Sequence, residues 1–428
     1  MERAFSARVV ILLTGASGFI GSRLLRALRA AGHDVIVAGR RPPRDAPGVR
    51  FVPADFTRDF DIAAWTPRLN GVDAVVNAVG ILREQGAQTF DAIHVRTPHA
   101  LFAAAHACGV RRIVQVSALG ADEHARSAYH RSKRAADIVL AALPVSHAIA
   151  QPSLVFGRGG ASAQLFGLLA SLPLVPLVGD GGQRVQPIHV DDAIEALVAL
   201  VTGEASGRVS LVGPEPVTMR AFLGRLRVVL GAGRARCIGM PLALVRLAAR
   251  AGERLPGSLL DAETLDMLLR GNVADPAATQ ALLGRAPRPV EAFIPADDAA
   301  CMRRDAQLAW LLPVLRLAIA LVWIWTGIVS LGLYPVAESY ALLARVGAVG
   351  AVATVLLYGA ALLDLALGVA TLVLRRRRLL WLAQIGLILG YTALITWRLP
   401  EFWLHPYGPL LKNLPMLAAL WLLYETDR

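Results

Sequence analysis

Residues 8–41 read RVVILLTGASGFIGSRLLRALRAAGHDVIVAGRR. Val9 to Leu13 form a continuous apolar run of strand length, as in a parallel strand buried on both faces. Gly15, Gly18 and Gly21 follow. Leu24, Leu25 and Leu28 then recur at helical spacing, Gly32 stops the helix, and DVIVAG starts a second strand. Strand, glycine turn, helix and strand in this order make the glycines meaningful. They let backbone approach a pyrophosphate, while the helix N-terminus offers free N–H groups and the positive end of its dipole. Gly39, Arg40 and Arg41 end the second strand, where an acidic residue would accept from the ribose 2′-hydroxyl of NAD. Arginine pairs instead with a 2′-phosphate, so the expected cofactor is NADP(H), favoured over NAD(H).

More strands follow, separated by helical stretches. GVRFVPADF ends at Asp55 and GVDAVVNAVG at Asn77–Gly80. RRIVQVSALGA ends near Ser117 and PVSHAIAQPSLVFG at Pro152–Gly157. The expected fold is therefore α/β, a Rossmann-like doubly wound parallel sheet with ligands at the carboxyl ends of its strands. Residues 1–204 are assigned to this domain and residues 205–300 to a smaller mixed α/β substrate lobe. In that lobe, one helix is expected near MRAFLGRL and two more within GMPLALVRLAARAGERLPGSLLDAETLDMLL.

Tyr129 and Lys133 stand four residues apart in SAYHRSK, on one helical face. A phenol of pKa ~10 exchanges protons poorly near neutrality unless a cation stabilises its anion, and an ammonium four residues away can do that. Both residues are rare here. Of the 44 basic Lys and Arg residues only Lys133 and Lys412 are lysine, and Tyr129 is the only tyrosine before residue 330. The net charge of +12 therefore reflects arginine enrichment. These arginines are scattered and not interleaved with stacking aromatics, which argues against a nucleic-acid partner. Cys108, Cys237 and Cys301 form no CxxC pair, and His94, His99 and His106 lack an acidic ligand set, so no metal is expected. VVILL is too short for a signal peptide.

GASGFIG, NAVG, Tyr129-x-x-x-Lys133, QPSLVFG and PIHVDDAIEAL, in this order, resemble the extended or atypical short-chain dehydrogenase/reductases of the NAD-dependent epimerase/dehydratase type. VSALGADEHARSAYHRSK most resembles the branch containing the NAD(P)H-binding accessory subunit of respiratory complex I. The resemblance implies that Gly15, Ser17, Gly18, Phe19, Ile20 and Gly21 hold the pyrophosphate and that Arg40 and Arg41 receive the adenosine phosphate. It places Asp55 and Phe56 beside the adenine, and Ala78, Val79, Gly80, Lys133, Pro152 and Val155 along the cofactor. Tyr129 and Lys133 would be catalytic. The family usually supplies a Ser or Thr hydroxyl just after the strand ending at Val116; here Ser117 is followed by Ala118, and Ser117 is the candidate substitute. Asp191 is expected to cap the helix after His189.

After residue 300 the composition changes. Seven of eight Trp and six of seven Tyr lie there, and hydrophobic residues make up 55% of the whole chain. Leu317 to Tyr334, Val346 to Leu374 and Leu379 to Thr396 are each long enough to cross a hydrocarbon core of ~30 Å, and Leu414 to Tyr424 is a shorter fourth candidate. Residues 301–428 are expected to form a transmembrane bundle of four helices. WIWTGIVS and HPYGPLLKNLPML resemble the DoxX-like membrane domain. Arg375 to Arg378 join the second and third spans, and under the positive-inside rule so basic a loop faces the cytoplasm. Arg303, Arg304 and Arg316 fall on the same side, as do the α/β domain and the C-terminus. The expected location is the inner membrane of a bacterium, with lipid headgroups as contacts of the arginines. Asp364 lies inside a span, where it either serves a function or pairs within the bundle. Lys412 and Asn413 either anchor the interface or line a site.

Two function classes follow. One is a membrane-anchored NADP(H)-dependent oxidoreductase acting on a lipid or quinone-like carbonyl. The other is a nucleotide-binding membrane protein without turnover, serving as a sensor or assembly factor.

Overall fold

The computed structural model describes residues 8–43, 46–253 and 261–427. The chain divides into two compact units, Met1–Ala306 and Gln307–Arg428.

In the first unit, β1 (Val10–Thr14), α1 (Phe19–Ala30), β2 (Asp34–Gly39), β3 (Arg50–Pro53), α2 (Ile62–Trp65), β4 (Ala74–Asn77), α3 (Thr97–Ala107), β5 (Arg112–Val116), α4 (Ala128–Ala142) and β6 (Ser146–Pro152) succeed one another. Further on come β7 (Val155–Phe156), α5 (Ala161–Ser171), β8 (Val175–Val178), β9 (Arg184–Val185), β10 (Ile188–His189), α6 (Val190–Thr202) and β11 (Gly207–Leu211). Seven strands form one sheet in the order β3-β2-β1-β4-β5-β6-β11, every neighbouring pair parallel. The seventh strand lies beyond the expected domain boundary at residue 204. The order reverses between β1 and β4, which opens a crevice at their carboxyl ends.

Alternating side chains of β1 explain why the sheet is covered on both faces. Ile11 and Leu13 pack with Leu24, Leu25 and Leu28 of α1 and Leu197 and Leu200 of α6. Leu12 packs on the other face with Trp65, Leu101, Phe102 and Leu140.

The stretch expected to form the smaller lobe contains β12 (Val217–Thr218), α7 (Met219–Val229), β13 (Cys237–Met240), α8 (Leu242–Gly252), α9 (Ala262–Arg270) and α10 (Ala277–Leu283). The expected pair of helices is α8 and α9; the stretch between them, 254–260, lies outside the described residues. His189, not Asp191, caps α6. Its Nδ1 accepts from the Asp191 N–H at 3.3 Å, and Asp191 occupies the first helical turn instead.

The second unit takes in the later part of α11 (Ala296–Ile328), then α12 (Val336–Val346), α13 (Gly350–Val373), α14 (Arg378–Arg398) and α15 (Asn413–Thr426). Three helical stretches, Ala296–Leu333, Gly350–Val373 and Arg378–Arg398, are long and apolar enough to cross a membrane. The fourth helix has 14 residues, about 21 Å at 1.5 Å per residue, short of a full crossing by itself. The second span starts at Gly350 rather than Val346, because Gly347 (φ +100°) closes the separate helix α12.

Large apolar side chains face outward from this unit, Val355, Leu379 and Trp397 among them, while Trp381 and Gln384 lie inside. That inside-out pattern suits a lipid solvent. Gly368 lets α13 meet α11 closely: a Cβ there would lie 2.5 Å from Ile324 Cγ1 and 3.0 Å from the Ala320 carbonyl oxygen. Asp427 pairs with Arg316 and accepts from Trp381 Nε1 at 2.9 Å, and Arg378 lies over the Tyr424 ring. The start of the first span, the arginine run and the end of α15 therefore share one end of the bundle.

Candidate cofactor and catalytic site

The glycine turn is built by close approach. Gly15 has φ +74°, and a Cβ there would lie 2.5 Å from the Ala78 carbonyl oxygen and 2.8 Å from the Val79 nitrogen. A Cβ on Gly21 would lie 2.1 Å from the Gly15 carbonyl oxygen. The turns after β1 and β4 are thus pressed together, with α1 seated on the first. Gly18 is the N-cap of α1, and no side chain caps the helix. Its first N–H groups, on Phe19, Ile20 and Gly21, are left for an anion. Ser17 and Gly18 are exposed beside them. These features fit a dinucleotide pyrophosphate.

Arg40 and Arg41 are exposed just beyond β2. Burial alone would raise the Asp55 carboxyl, but two hydrogen bonds from Thr57 and the nearby Arg40 hold it below its ordinary value. Arg40 and Asp55 therefore border one region, with cation and acceptor to offer. The Phe56 ring turns into the core against Trp65. Ala78, Val79 and Gly80 follow β4, Pro152 ends β6, and Val155 starts β7.

Three buried side chains tie the strand ends together: Asn77, expected at a strand end, and Thr14 and Gln115, which were not identified from the sequence. Thr14 Oγ1 donates to Asn77 Oδ1 at 2.7 Å, and Asn77 Nδ2 donates to Gln115 Oε1 at 2.7 Å. Thr14, Asn77 and Gln115 end or nearly end β1, β4 and β5, so this ladder fixes the floor of the crevice. Polar residues at the ends of apolar strands were the available signal.

Helix α4 carries the candidate catalytic pair, Tyr129 and Lys133. Ser127 caps it by accepting from the His130 N–H, which places Tyr129 in the first turn. Lys133, one turn later, is buried and donates to the Val116 carbonyl at 3.1 Å and the Val79 carbonyl at 3.3 Å. A Cβ on Gly80 would lie 3.1 Å from its Nζ. Tyr129, Lys133 and the loop after β4 are thereby brought to one place. Phe90, His94 and His130 surround the Tyr129 ring, with centroids 6.2, 5.7 and 5.3 Å away.

The electrostatics differ from the expectation. Burial, with Asp137 adding to it, pushes the Tyr129 phenol up to about 12. Burial pulls Lys133 down to about 8, against the attraction of Asp137. Burial and Asp137 together thus keep the phenol neutral in the protein by itself, where a stabilised phenolate was expected.

Ser117, the candidate substitute for the hydroxyl that Ala118 lacks, already has a partner. It is buried and donates to Asp137 Oδ2 at 2.5 Å. Asp137 is fully buried one turn beyond Lys133, and burial raises its carboxyl to about 6 despite Ser117 and Lys133. Ser117 therefore holds Asp137 beneath the site, and Ala118 occupies the following position.

His94 belongs to the core. Its Nε2 accepts from the Ile81 N–H at 3.0 Å, so Nδ1 carries the proton and donates to Ser132 Oγ at 2.9 Å; Ser132 in turn donates to the Tyr129 carbonyl at 2.7 Å. From the lobe, Glu263 accepts from the Ala128 N–H at 2.9 Å, and Arg270 donates to the Gly120 carbonyl at 2.8 Å and to both Asp122 oxygens. These contacts hold the segment leading into α4. Among the described residues no cluster of His, Cys, Asp and Glu could hold a metal.

Known proteins resemble both parts of the chain. Residues 11–213 match the NAD dependent epimerase/dehydratase family, and residues 320–421 match the DoxX-like family. The chain is 32% identical over 219 residues to a ceramide reductase of Caulobacter vibrioides, covering 49% of this chain and 66% of that protein, just under two thirds of its length. It is 30% identical over 297 residues to an epimerase family protein of Mycobacterium leprae, covering 64% of this chain and 91% of that one. It is 32% identical over 235 residues to the mitochondrial NADH dehydrogenase (ubiquinone) 1 alpha subcomplex subunit 9 of Arabidopsis thaliana, covering 50% of this chain and 56% of that subunit. The sheet, the glycine turn and these matches together establish that the chain belongs to the NAD-dependent epimerase/dehydratase family and joins its NAD(P)-binding domain to a DoxX-like membrane domain.

Proposed function

We propose that this protein is an NADP(H)-dependent oxidoreductase that reduces the carbonyl of a lipid at the cytoplasmic face of a bacterial inner membrane. The observation that carries the reading is the placement of Tyr129 and Lys133 on one face of α4, with Lys133 Nζ donating between the ends of β4 and β5. The ceramide reductase relative supports a lipid substrate, and the exposed Arg40 and Arg41 support the phosphorylated dinucleotide.

The bound nicotinamide supplies a hydride. Gly15, Gly18 and the first turn of α1 hold the pyrophosphate, and Lys133 holds the adjoining ribose. Tyr129, neutral at working pH, donates its proton to the carbonyl oxygen, so hydride and proton together give the alcohol. Lys133, one turn along the same face of α4, offsets the phenolate that remains, and Asp137 beneath it favours its charged form.

A second reading has its own support. With Ser117 turned to Asp137 and Ala118 behind it, the usual orienting hydroxyl is missing, as suits a nucleotide-binding protein without turnover. Two variants separate the readings. Tyr129→Phe is expected to leave NADPH affinity intact and lower turnover by about 10²–10⁴-fold. Lys133→Met is expected to weaken NADPH binding as well. Steady-state kinetics and calorimetric titration give both quantities. A Tyr129→Phe protein with unchanged turnover would remove Tyr129 from the mechanism.

A further inference from the structure

The substrate lobe carries a helix with two different apolar faces. In α8 (Leu242–Gly252), Val245, Ala249 and Gly252 are buried, and Val245 and Ala249 pack with Leu265 of α9. Leu244, Leu247, Ala248 and Ala251 are exposed, Leu244 at 53% and Leu247 at 65%. At 3.6 residues per turn these four fall within a sector of about 100°, pointing away from the buried face. Arg246 and Arg250 are exposed along one flank, and the helix contains no acidic residue; Glu253 follows at its C-cap. The strand leading into it, β13, exposes Ile238, with Arg236 just before it. An exposed leucine stripe bordered by arginine costs solubility and, among the described residues, takes no part in the lobe's own core.

We propose that α8 is an interfacial helix, with Leu244 and Leu247 dipping into the acyl boundary of the bilayer and Arg246 and Arg250 meeting anionic headgroups. An apolar stripe with a basic flank is the pattern of a helix lying in the membrane interface. Two leucines and two arginines bind a bilayer weakly, but this chain already has three helices fit to cross one. Tethering makes a weak contact effective without further area. A bilayer is thus the partner this surface matches in charge, and one that the chain's own apolar helices would keep within reach.

The helix also leads to the site. Through Leu265 it packs on α9, whose Glu263 and Arg270 hold the segment before Tyr129. Docking of α8 would set this lobe at headgroup depth, where a lipid carbonyl lies. The inference rests on membrane residence and not on turnover, so it can fail while the catalytic reading stands, and the reverse.

The test uses the full chain in vesicles of phosphatidylcholine and phosphatidylglycerol, with Cys108, Cys237 and Cys301 replaced by alanine. A nitroxide is placed at Leu247→Cys or, as control, at Arg29→Cys on α1. The ratio of collision with oxygen to collision with a water-soluble nickel chelate is expected to be about threefold or more higher at 247 than at 29, as for a side chain in lipid. It should fall toward the control when Arg246→Glu and Arg250→Glu are added. Equal ratios at both positions would overturn the proposal, as would burial from both agents with spin–spin broadening, which marks a second copy. If the cysteine replacements abolish NADPH binding, hydrogen exchange of residues 242–252 in the natural chain decides. Slower exchange with phosphatidylglycerol than with phosphatidylcholine alone supports the proposal, and no difference overturns it.

Discussion

Arg40 lies exposed just beyond the second strand with Asp55 nearby, and in the proposed function it meets the adenosine end of a dinucleotide. A carboxylate at position 40 would repel a 2′-phosphate and accept from a free 2′-hydroxyl. Titration is expected to show tighter binding of NADPH than of NADH, and Arg40→Asp is expected to erode that difference or invert it. Equal affinities in the natural protein would leave the arginines as solvated charges. At this scale, rarity made residues legible: a lone tyrosine four residues before one of two lysines stands out in an arginine-rich chain. Ser117 and Asp137 were not legible in this way. Their pairing depends on a strand end meeting the second turn after Tyr129, which no local spacing shows. The phenol's high pKa was also hidden, since desolvation is a property of the packed site.

Between elements, His94 links the loop after β4 to α4 through Ile81, Ser132 and the Tyr129 carbonyl. Burial pulls it from an ordinary 6.5 down to about 2. The unfolded chain therefore takes up a proton below pH 6.5 that the folded chain refuses. This contribution to stability is complete above pH 6.5 and is lost as pH falls from there toward 2. For His94 alone the loss amounts to about 2 kcal/mol between pH 6.5 and 5. His130, pulled down to about 4 mainly by burial and then by Arg270, acts in the same direction over the upper part of that range. Thermal denaturation of the natural protein and of His94→Asn at pH 7 and 5 is expected to show a smaller drop in the variant. The same drop in both would mean that His94 is not held neutral. Strands and the glycine turn were readable because continuous apolar runs and turn glycines are local signals. The cap of α6 and the separate helix α12 were not, because each rests on backbone geometry at a terminus, at His189 and at Gly347.

Across the whole molecule, a nucleotide-binding domain and an apolar bundle occupy one chain. The bundle's arginine run, Arg316 and Asp427 share one end, which gives the positive-inside argument a single face to act on. A reporter fused after Arg428 is expected to read cytoplasmic and one placed near Ser339 periplasmic; the reverse pattern would contradict the orientation. The change of composition at residue 300 made the two-part architecture legible, whereas the brevity of the fourth helix left its crossing unsupported by length alone. The most direct test of the central claim follows the hydride. The full chain in vesicles is supplied with NADPH carrying deuterium at both transferable nicotinamide positions, together with a lipid extract of the source cells, and the lipids are examined by mass spectrometry. Deuterium is expected on the carbinol carbon of a reduced lipid, and far less of it with Tyr129→Phe. Stoichiometric NADPH binding with no deuterium in any lipid would contradict the account.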